Sequence, residues 1–243
     1  MAQNLVFISG ASSGIGLALA QTVPFEDARI VDISRRGAAG FEHLKADLAD
    51  PASWREVAAC FDREVVGYRG ARAIFVHNAG TLEPMGFAGE VDLDGYARSV
   101  LLGSAATQVL GAAFLAAASR TEAACTLLMI SSGAAHAVYP GWSAYGAGKA
   151  AMDQWVRTVG AEQSAREGGC RVLSVAPGIV ETAMQAQIRE TPAEAFPEVA
   201  KFVELHEQGV LREPRVVAVE LWGLVEGDLQ SGAVVDLREA ASG

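Results

Sequence analysis

A glycine-rich turn directly after the first apolar run constrains the fold of this chain more than any other feature. Residues 5–9 (Leu-Val-Phe-Ile-Ser) read as a buried strand, and residues 10–16 follow with the spacing Gly-x-x-x-Gly-x-Gly and open a helix. Glycines at such a junction allow a tight turn and a close approach of the backbone to a pyrophosphate, while the helix N-terminus supplies N–H donors. Alone the turn is weak evidence, because glycines often follow strands. Its position at the first strand–helix junction favours a dinucleotide-binding α/β fold.

The rest of the chain alternates short apolar runs with longer stretches of helical periodicity. The predicted strands are 5–9, 29–34, 73–77, 126–131, 171–175 and 232–237. The predicted helices are 14–22, 52–66, 95–118, 143–166 and 214–226. Strands that are apolar almost throughout indicate a sheet covered on both faces, and the alternation indicates parallel strands. We therefore predict a single doubly wound Rossmann domain of the α/β class over residues 1–243, with a mostly parallel sheet.

Residues 184–208 interrupt this alternation. The segment holds Pro192 and Pro197 and two short helix-like pieces. Because ligands of open α/β sheets bind at the carboxyl ends of the strands, a long insertion there predicts a lid over the substrate. The alternative is a packed surface insertion that plays no part in substrate binding.

Charge and cysteine content exclude several classes of function. The 243 residues include 19 basic and 29 acidic side chains, a net charge of −10, so neither a nucleic acid nor an anionic membrane is an expected partner. No apolar run of the length that spans a bilayer and no basic signal peptide are apparent. Three scattered cysteines indicate no disulfide framework and no metal site, and we expect a cytoplasmic protein.

Five further motifs follow the glycine turn at the boundaries of the predicted elements: Asp47-Leu48, Asn78-Ala79-Gly80, Ser132, Tyr145-x-x-x-Lys149 and Pro177-Gly178. In this order and spacing the chain resembles the short-chain dehydrogenase/reductase family over essentially its whole length. The resemblance implies an NAD(P)-dependent oxidoreductase that transfers a hydride between the cofactor and a small carbonyl or alcohol substrate.

The Tyr145–Lys149 pair carries the predicted acid–base chemistry. Four positions on a helix place both side chains on one face. A phenol is a poor proton donor or acceptor near neutral pH unless its anion is stabilised, and a neighbouring ammonium group lowers its pKa. The resemblance implies that Tyr145 is the general acid in reduction and that Lys149 also binds the nicotinamide ribose. It assigns Ser132, rather than the adjacent Ser131, to orient and stabilise the substrate oxygen.

The resemblance also implies where the dinucleotide lies. The glycine turn takes the pyrophosphate, the end of the second strand the adenosine ribose, Asp47 the adenine, and the turn that ends at Thr182 the nicotinamide carboxamide. The expected cofactor-binding residues are Gly10, Ser12, Ser13, Gly14, Ile15, Gly16, Ser34, Arg35, Arg36, Asp47, Leu48, Asn78, Ala79, Gly80, Tyr145, Lys149, Pro177, Gly178, Ile179 and Thr182.

The end of the second strand predicts which dinucleotide is used. A carboxylate there hydrogen-bonds the ribose hydroxyls of NAD, whereas arginine attracts the 2′-phosphate of NADP. The sequence has Ser34 where NAD-dependent relatives carry aspartate, followed by Arg35 and Arg36, which favours NADP(H). Asp32, two residues earlier on the same strand face, keeps NAD(H) open as the alternative.

Two positions depart from the family pattern. His77 replaces the first asparagine of the family's Asn-Asn-Ala-Gly, and we interpret it as a partly buried histidine whose hydrogen bonds are satisfied. The asparagine that the family places in its long central helix, where it helps to hold a water next to the lysine, is absent. Ser99 or, in the adjacent register, Val100 stands there.

The residues after the second strand and at the end of the chain resemble the sepiapterin reductase and benzil reductase branch, which implies an aromatic or vicinal dicarbonyl substrate. Candidate pocket residues are Trp142, the strongest of the set, with His136, Met184 and Phe196. An NAD-dependent alcohol dehydrogenase and a non-catalytic nucleotide sensor stay open as alternatives. By analogy with the family, helices 95–118 and 143–166 predict a homodimer or homotetramer.

Overall fold

The computed structural model describes residues 3–240, so the first two and last three residues of the predicted domain lie outside it. The strands are β1 (Asn4–Ser9), β2 (Ala28–Ser34), β3 (Glu42–Lys45), β4 (Arg72–His77), β5 (Ala124–Ile130), β6 (Arg171–Ala176) and β7 (Val234–Asp236). They form one sheet in the order β3-β2-β1-β4-β5-β6-β7, and every pair is parallel. The predicted doubly wound Rossmann domain is confirmed.

Helices cover both faces of this sheet. They are α1 (Gly14–Gln21), α2 (Pro51–Val65), α3 (Leu93–Val100), α4 (Ala106–Ala118), α5 (Ser143–Ser164), α6 (Ala183–Glu190), α7 (Val199–Glu207), α8 (Pro214–Glu226) and the short α9 (Leu237–Ala240). One core lies between the sheet and α2, α4 and α5, and a second lies between the sheet and α1 and α8. The inner strands β1, β4, β5 and β6 are therefore largely buried on both sides, as the sequence indicates.

The long predicted helix at 95–118 is interrupted where the family asparagine would stand. A π-helical turn, Leu101–Ala105, separates α3 from α4. Such turns change which residues face inward and are frequent at functional sites. Here Ser99 is buried and lines the central cleft, while Val100 is exposed, so the structure selects Ser99 of the two alternatives.

The span Leu93–Ala118 also passes the length and hydropathy criteria for a membrane-crossing helix, which the sequence reading did not anticipate. One such helix is weak evidence, because core helices meet the same criteria. Ala106, Leu110, Phe114 and Ala117 of this span are fully buried against the sheet. Its other face exposes Val100 and Val109.

Candidate active site

The glycine turn between β1 and α1 has a backbone that no other residue could adopt easily. Gly10 and Gly14 have φ of +70° and +55°. A Cβ at Gly16 would lie 2.2 Å from the Gly10 carbonyl oxygen, so this glycine lets the turn fold tightly onto α1. The hydroxyl of Ser13, the N-cap of α1, accepts no bond from the helix, whose first turn carries no acidic residue. The turn therefore fits a bound pyrophosphate.

Residues at the end of β4 hold this turn in place through hydrogen bonds. The Asn78 amide donates to the carbonyl oxygens of Ser9 (3.1 Å) and Gly10 (3.2 Å). His77 is fully buried, not partly buried as predicted, and its ring nitrogens lie 3.2 Å from the Ser9 hydroxyl and 3.1 Å from that of Thr107. Burial and the charge of Lys149 lower the pKa of His77 to about 3. A neutral, hydrogen-bonded imidazole is the structural role that the sequence predicts.

A cleft of about 760 Å³ opens at the carboxyl ends of the strands, a volume in the range of small-molecule and cofactor sites. Most of the predicted cofactor residues line it: Gly10, Ser12, Ser13, Gly14, Ile15, Ser34, Arg35, Arg36, Asp47, Leu48, Asn78, Ala79, Gly80 and Thr182. Gly16, Tyr145, Lys149, Pro177, Gly178 and Ile179 are not among its lining residues. Gly16 lies beneath the turn, and the Ile179 carbonyl accepts a hydrogen bond from the Arg212 N–H.

The three predicted catalytic side chains, Ser132, Tyr145 and Lys149, do not line the cleft but lie together beside it. Lys149 is buried, and its Nζ donates to the Ile130 carbonyl (2.6 Å) and lies 5.7 Å from the ring centre of Tyr145. A Cβ placed at Gly80, which lines the cleft, would be 3.9 Å from that Nζ. Ser132 is partly exposed beyond β5, whereas the Ser131 hydroxyl is buried. Ser132 is thus the accessible one of the two serines.

Burial shifts the pKa values of Tyr145 and Lys149 in opposite directions. It raises the pKa of Tyr145, which the Ser132 hydroxyl partly offsets, and lowers the pKa of Lys149 to about 8, which the charge of Asp153 opposes. The sequence analysis expects Lys149 to lower the pKa of Tyr145. Burial instead dominates, so the pKa of Tyr145 lies above its ordinary value.

At the end of β2, where adenosine is expected, Asp32 is buried and each of its carboxylate oxygens accepts a hydrogen bond. One oxygen accepts from the Ala11 N–H (3.2 Å) and the other from the Ser34 hydroxyl (2.9 Å), which itself accepts from the Gly37 N–H (3.0 Å). Asp32 therefore holds the glycine turn rather than facing the cleft. Arg35 and Arg36 are exposed on the lining.

Arg98 on α3 is a cleft residue that the sequence analysis missed. Its guanidinium lies 2.7 Å from the Asp47 carboxylate, across the adenine end of the cleft. Burial raises the pKa of Asp47, but hydrogen bonds from Arg98 and the Ala49 N–H and the charges of Arg98 and Arg35 outweigh it, so the net pKa is lowered. The 51 residues that separate the partners in sequence left no local signal for this pair.

The predicted pocket residues separate into three groups. Met184 lines the cleft. Trp142 and Phe196 instead stack on each other, with ring centres 4.5 Å apart, in a buried cluster with Phe202 that joins α6 and α7 to the start of α5. Trp142 still packs edge-to-face on Tyr145, at 5.7 Å. His136 is exposed and lies outside the cleft lining, so its predicted pocket role has no geometric support.

The described residues offer no site for a metal ion. Residues 3–240 contain no group of three or more His, Cys, Asp or Glu side chains placed to hold a metal ion. The three cysteines are free thiols, and Cys60 and Cys170 are buried.

A glycine turn at the first strand–helix junction, a cleft at the carboxyl ends of parallel strands, and a tyrosine–lysine pair beside it define a nicotinamide-dependent oxidoreductase. The model of the short chain dehydrogenase family matches residues 4–193. The chain belongs to the short-chain dehydrogenase/reductase family and is an NAD(P)-dependent oxidoreductase.

Two relatives and one solved structure illustrate this membership. Benzil reductase ((S)-benzoin forming) of Bacillus subtilis is 31% identical over 240 residues, which cover 97% of this chain and 99% of that protein. Sepiapterin reductase of Mus musculus is 32% identical over 255 residues, with 96% and 95% covered. The short-chain dehydrogenase/reductase YIR035C of Saccharomyces cerevisiae superimposes with a TM-score of 0.80 at 22% identity, over 96% of this chain and 95% of that one. The predicted branch is thereby confirmed.

Proposed function

We propose that this protein reduces an aromatic ketone or vicinal dicarbonyl to the alcohol with NADPH. The observation that carries the proposal is the grouping of Tyr145 with Ser132 and Lys149 beside the cleft at the carboxyl ends of the strands. Reduction requires an acid at the substrate oxygen, and the Tyr145 phenol is the side chain of this group that can give a proton. The similarity to benzil and sepiapterin reductases supports the substrate class.

The preference for NADPH is supported by the chemistry at the end of β2. A carboxylate that binds ribose hydroxyls must reach the cleft, and Asp32 is fully buried and does not line it. Arg35 and Arg36 offer guanidinium groups at the cleft surface, where a 2′-phosphate would be neutralised.

In the proposed mechanism the cofactor, when bound, supplies the hydride. Ser132 donates a hydrogen bond to the substrate carbonyl oxygen and stabilises the negative charge that develops there. Tyr145 gives its phenolic proton to that oxygen. Lys149 donates to the ribose hydroxyls and stabilises the phenolate that remains. Thr182 lies opposite the glycine turn, since a Cβ at Gly14 would be 3.3 Å from its methyl group, and it would hold the carboxamide.

Three further features belong to this proposal. The segment 184–208 acts as a lid, because Met184 and Gln187 of α6 and Thr191 and Ala195 of the loop after it line the cleft. Two copies of the chain pack through the apolar outer face of α3 and α4, in a homodimer or as part of a homotetramer. The protein works in the cytoplasm, where buried free thiols such as Cys60 stay reduced.

The proposal is tested by following NADPH and NADH oxidation with aromatic ketones, vicinal diketones, quinones and pterins. We expect turnover of a vicinal diketone with NADPH preferred. Tyr145→Phe should lower kcat by about 10²- to 10⁴-fold while NADPH still binds. Arg35→Ala should raise the KM for NADPH about 10-fold or more and leave that for NADH nearly unchanged.

Tyr96→Phe is the matched control, because it removes a phenolic hydroxyl that contacts Ser143 and has no predicted role in the reaction. Full activity in Tyr145→Phe would remove Tyr145 from the mechanism. Tight NADPH binding without turnover of any carbonyl would favour the sensor alternative. A preference for NADH that survives Arg35→Ala would favour the NAD-dependent dehydrogenase.

A further inference from the structure

Helix α5 carries a third polar residue on the face that bears Tyr145 and Lys149. Asp153 follows Lys149 by the same four positions that separate Lys149 from Tyr145. Its side chain is only 2% exposed. A carboxylate at this depth is strongly destabilised unless other groups compensate its charge. The groups around Asp153 therefore indicate the role of its negative charge.

Two side chains from other elements fix the Asp153 carboxylate. The Ser174 hydroxyl, on β6, donates to Oδ1 at 2.7 Å. Oδ2 lies 3.2 Å from Nε2 of His136, which follows the short 3-10 turn after β5 and is 62% exposed. The carboxylate is thus hydrogen-bonded to Ser174 on the sheet side and faces His136 on the solvent side.

Lys149 is the buried cation one turn away. Its Nζ donates to the Ile130 carbonyl, so the ammonium and the Asp153 carboxylate interact through space rather than by a hydrogen bond. The other titratable groups that face Lys149 are Tyr145 on its own helix and His77 at the end of β4, and both are neutral at pH 7. His136 lies beyond the carboxylate. Asp153 is therefore the buried anion that compensates Lys149.

We propose that Asp153 is a positioning residue of the reaction, which acts through Lys149 by keeping it in the ammonium form. The proposal rests on the proposed function in one respect, namely that Lys149 serves the proton transfer of Tyr145. An ammonium donates to ribose hydroxyls and stabilises a phenolate, whereas a neutral amine does not stabilise the anion. In this role Asp153 contacts neither the substrate nor the cofactor. Ser174 and His136 hold its side chain in position.

The direction of the effect follows from charge. Burial lowers the pKa of Lys149 to about 8, and the negative charge of Asp153 limits the decrease. Asp153→Asn keeps the size and the hydrogen bonds but removes the charge, so the pKa of Lys149 should fall further, by about one unit or more. A decrease from 8 to 7 would reduce the protonated share of Lys149 at pH 7.5 about threefold.

The chain has three lysines, Lys45, Lys149 and Lys201, which makes this pKa directly measurable. Protein labelled with ¹³C at the lysine ε-carbon gives three signals, and the one absent from Lys149→Met identifies Lys149. We expect its titration midpoint near 8 in the wild type and about one unit lower in Asp153→Asn. Turnover of Asp153→Asn should be reduced about threefold at pH 7.5 and should return to nearly the wild-type value at pH 6.

Ser174→Ala is the matched control, because it removes the hydrogen bond to Asp153 but keeps the negative charge of the carboxylate. Its Lys149 midpoint should stay close to that of the wild type. An unchanged midpoint in Asp153→Asn, or an equal shift in Ser174→Ala, would overturn the proposal. If Asp153→Asn does not fold, Asp153→Ser takes its place with the same expected shift. Since the titration needs no cofactor or substrate, a shifted midpoint in a protein without carbonyl turnover would contradict only the proposed function.

Discussion

At the scale of single residues, the carboxyl edge of the sheet is organised by buried polar side chains that bind to backbone rather than to ligands. Ser9 illustrates this, since its hydroxyl accepts from the N–H groups of Asn78 and Ala79 (both 3.0 Å) and contacts His77. His77 extends the network to Thr107 on α4. The neutral imidazole of His77, at the end of β4, therefore connects Ser9, next to the glycine turn, with Thr107 on α4.

This imidazole makes the stability of the protein dependent on pH. The unfolded chain takes up a proton on His77 near pH 6.5, whereas burial holds the folded-state pKa at about 3. The stabilisation is therefore complete above pH 6.5 and decreases as the pH falls. At pH 5 the difference amounts to about 2 kcal/mol of the free energy of unfolding. His77→Asn should remove about this much of the decrease between pH 7.5 and 5, measured by urea unfolding at both pH values.

His43→Gln is the control for the loss of a histidine, since His43 is exposed and bonds only the Ser34 carbonyl among the described residues. If His77→Asn keeps the full decrease in stability between the two pH values, another group is responsible for it.

The sequence identified the residues of the site but not how their atoms are used. Asp32 shows the difference: strand periodicity places it on the same face as Ser34, yet only the structure shows that the Ala11 N–H and the Ser34 hydroxyl occupy its carboxylate. The Arg98–Asp47 pair joins segments far apart in the chain. Asp153 could have been found, because its spacing from Lys149 repeats that of Lys149 from Tyr145.

At the scale of elements, the buried strands and long helices were predictable because burial leaves continuous apolar runs. Strand β3 (Glu42–Lys45) was missing from the predicted strands, since it is a largely exposed edge strand with a polar sequence. The π-helical turn Leu101–Ala105 was also missed, because its apolar sequence continues the helical pattern on both sides. Both of the short helices expected in 184–208 are present, as α6 and α7.

The aromatic cluster beneath α6 and α7 predicts how this part of the chain opens. Phe196 is fully buried there, in a cluster separate from the two cores that cover the sheet. Phe196→Ala removes its stack on Trp142 at a cost of about 3–5 kcal/mol, most of which should fall on the docking of α6 and α7. We expect amide hydrogen exchange to become much faster over α6 and α7 and to change little in β1 and β4.

Phe114→Ala is the matched control, because it deletes the same side chain from the core between the sheet and α4. This variant should accelerate exchange throughout the sheet. If Phe196→Ala also destabilises the sheet uniformly, α6 and α7 unfold only together with the domain and do not open as a lid.

At the scale of the whole molecule, the distribution of apolar surface is uneven. Both faces of the sheet are covered, yet the outer side of the span Leu93–Ala118 leaves Leu93 77%, Val100 42% and Val109 43% exposed. A net charge of −10 keeps copies of the chain apart unless a specific contact brings them together. An apolar helix face on an acidic protein suits a contact between two copies related by a twofold axis, because the same apolar surface of each copy is then buried.

A substitution on this face tests the proposed assembly. Val109→Arg places a charge in the middle of the α4 outer face, and two copies of it would meet across a twofold contact. We expect the wild type to sediment as a dimer or tetramer at micromolar concentration and Val109→Arg as a smaller species with the same α/β circular dichroism. Val216→Arg, on an exposed valine of α8, is the matched control and should sediment as the wild type. A wild-type monomer would contradict the assembly, and dissociation by Val216→Arg alone would move the contact from α4 to α8.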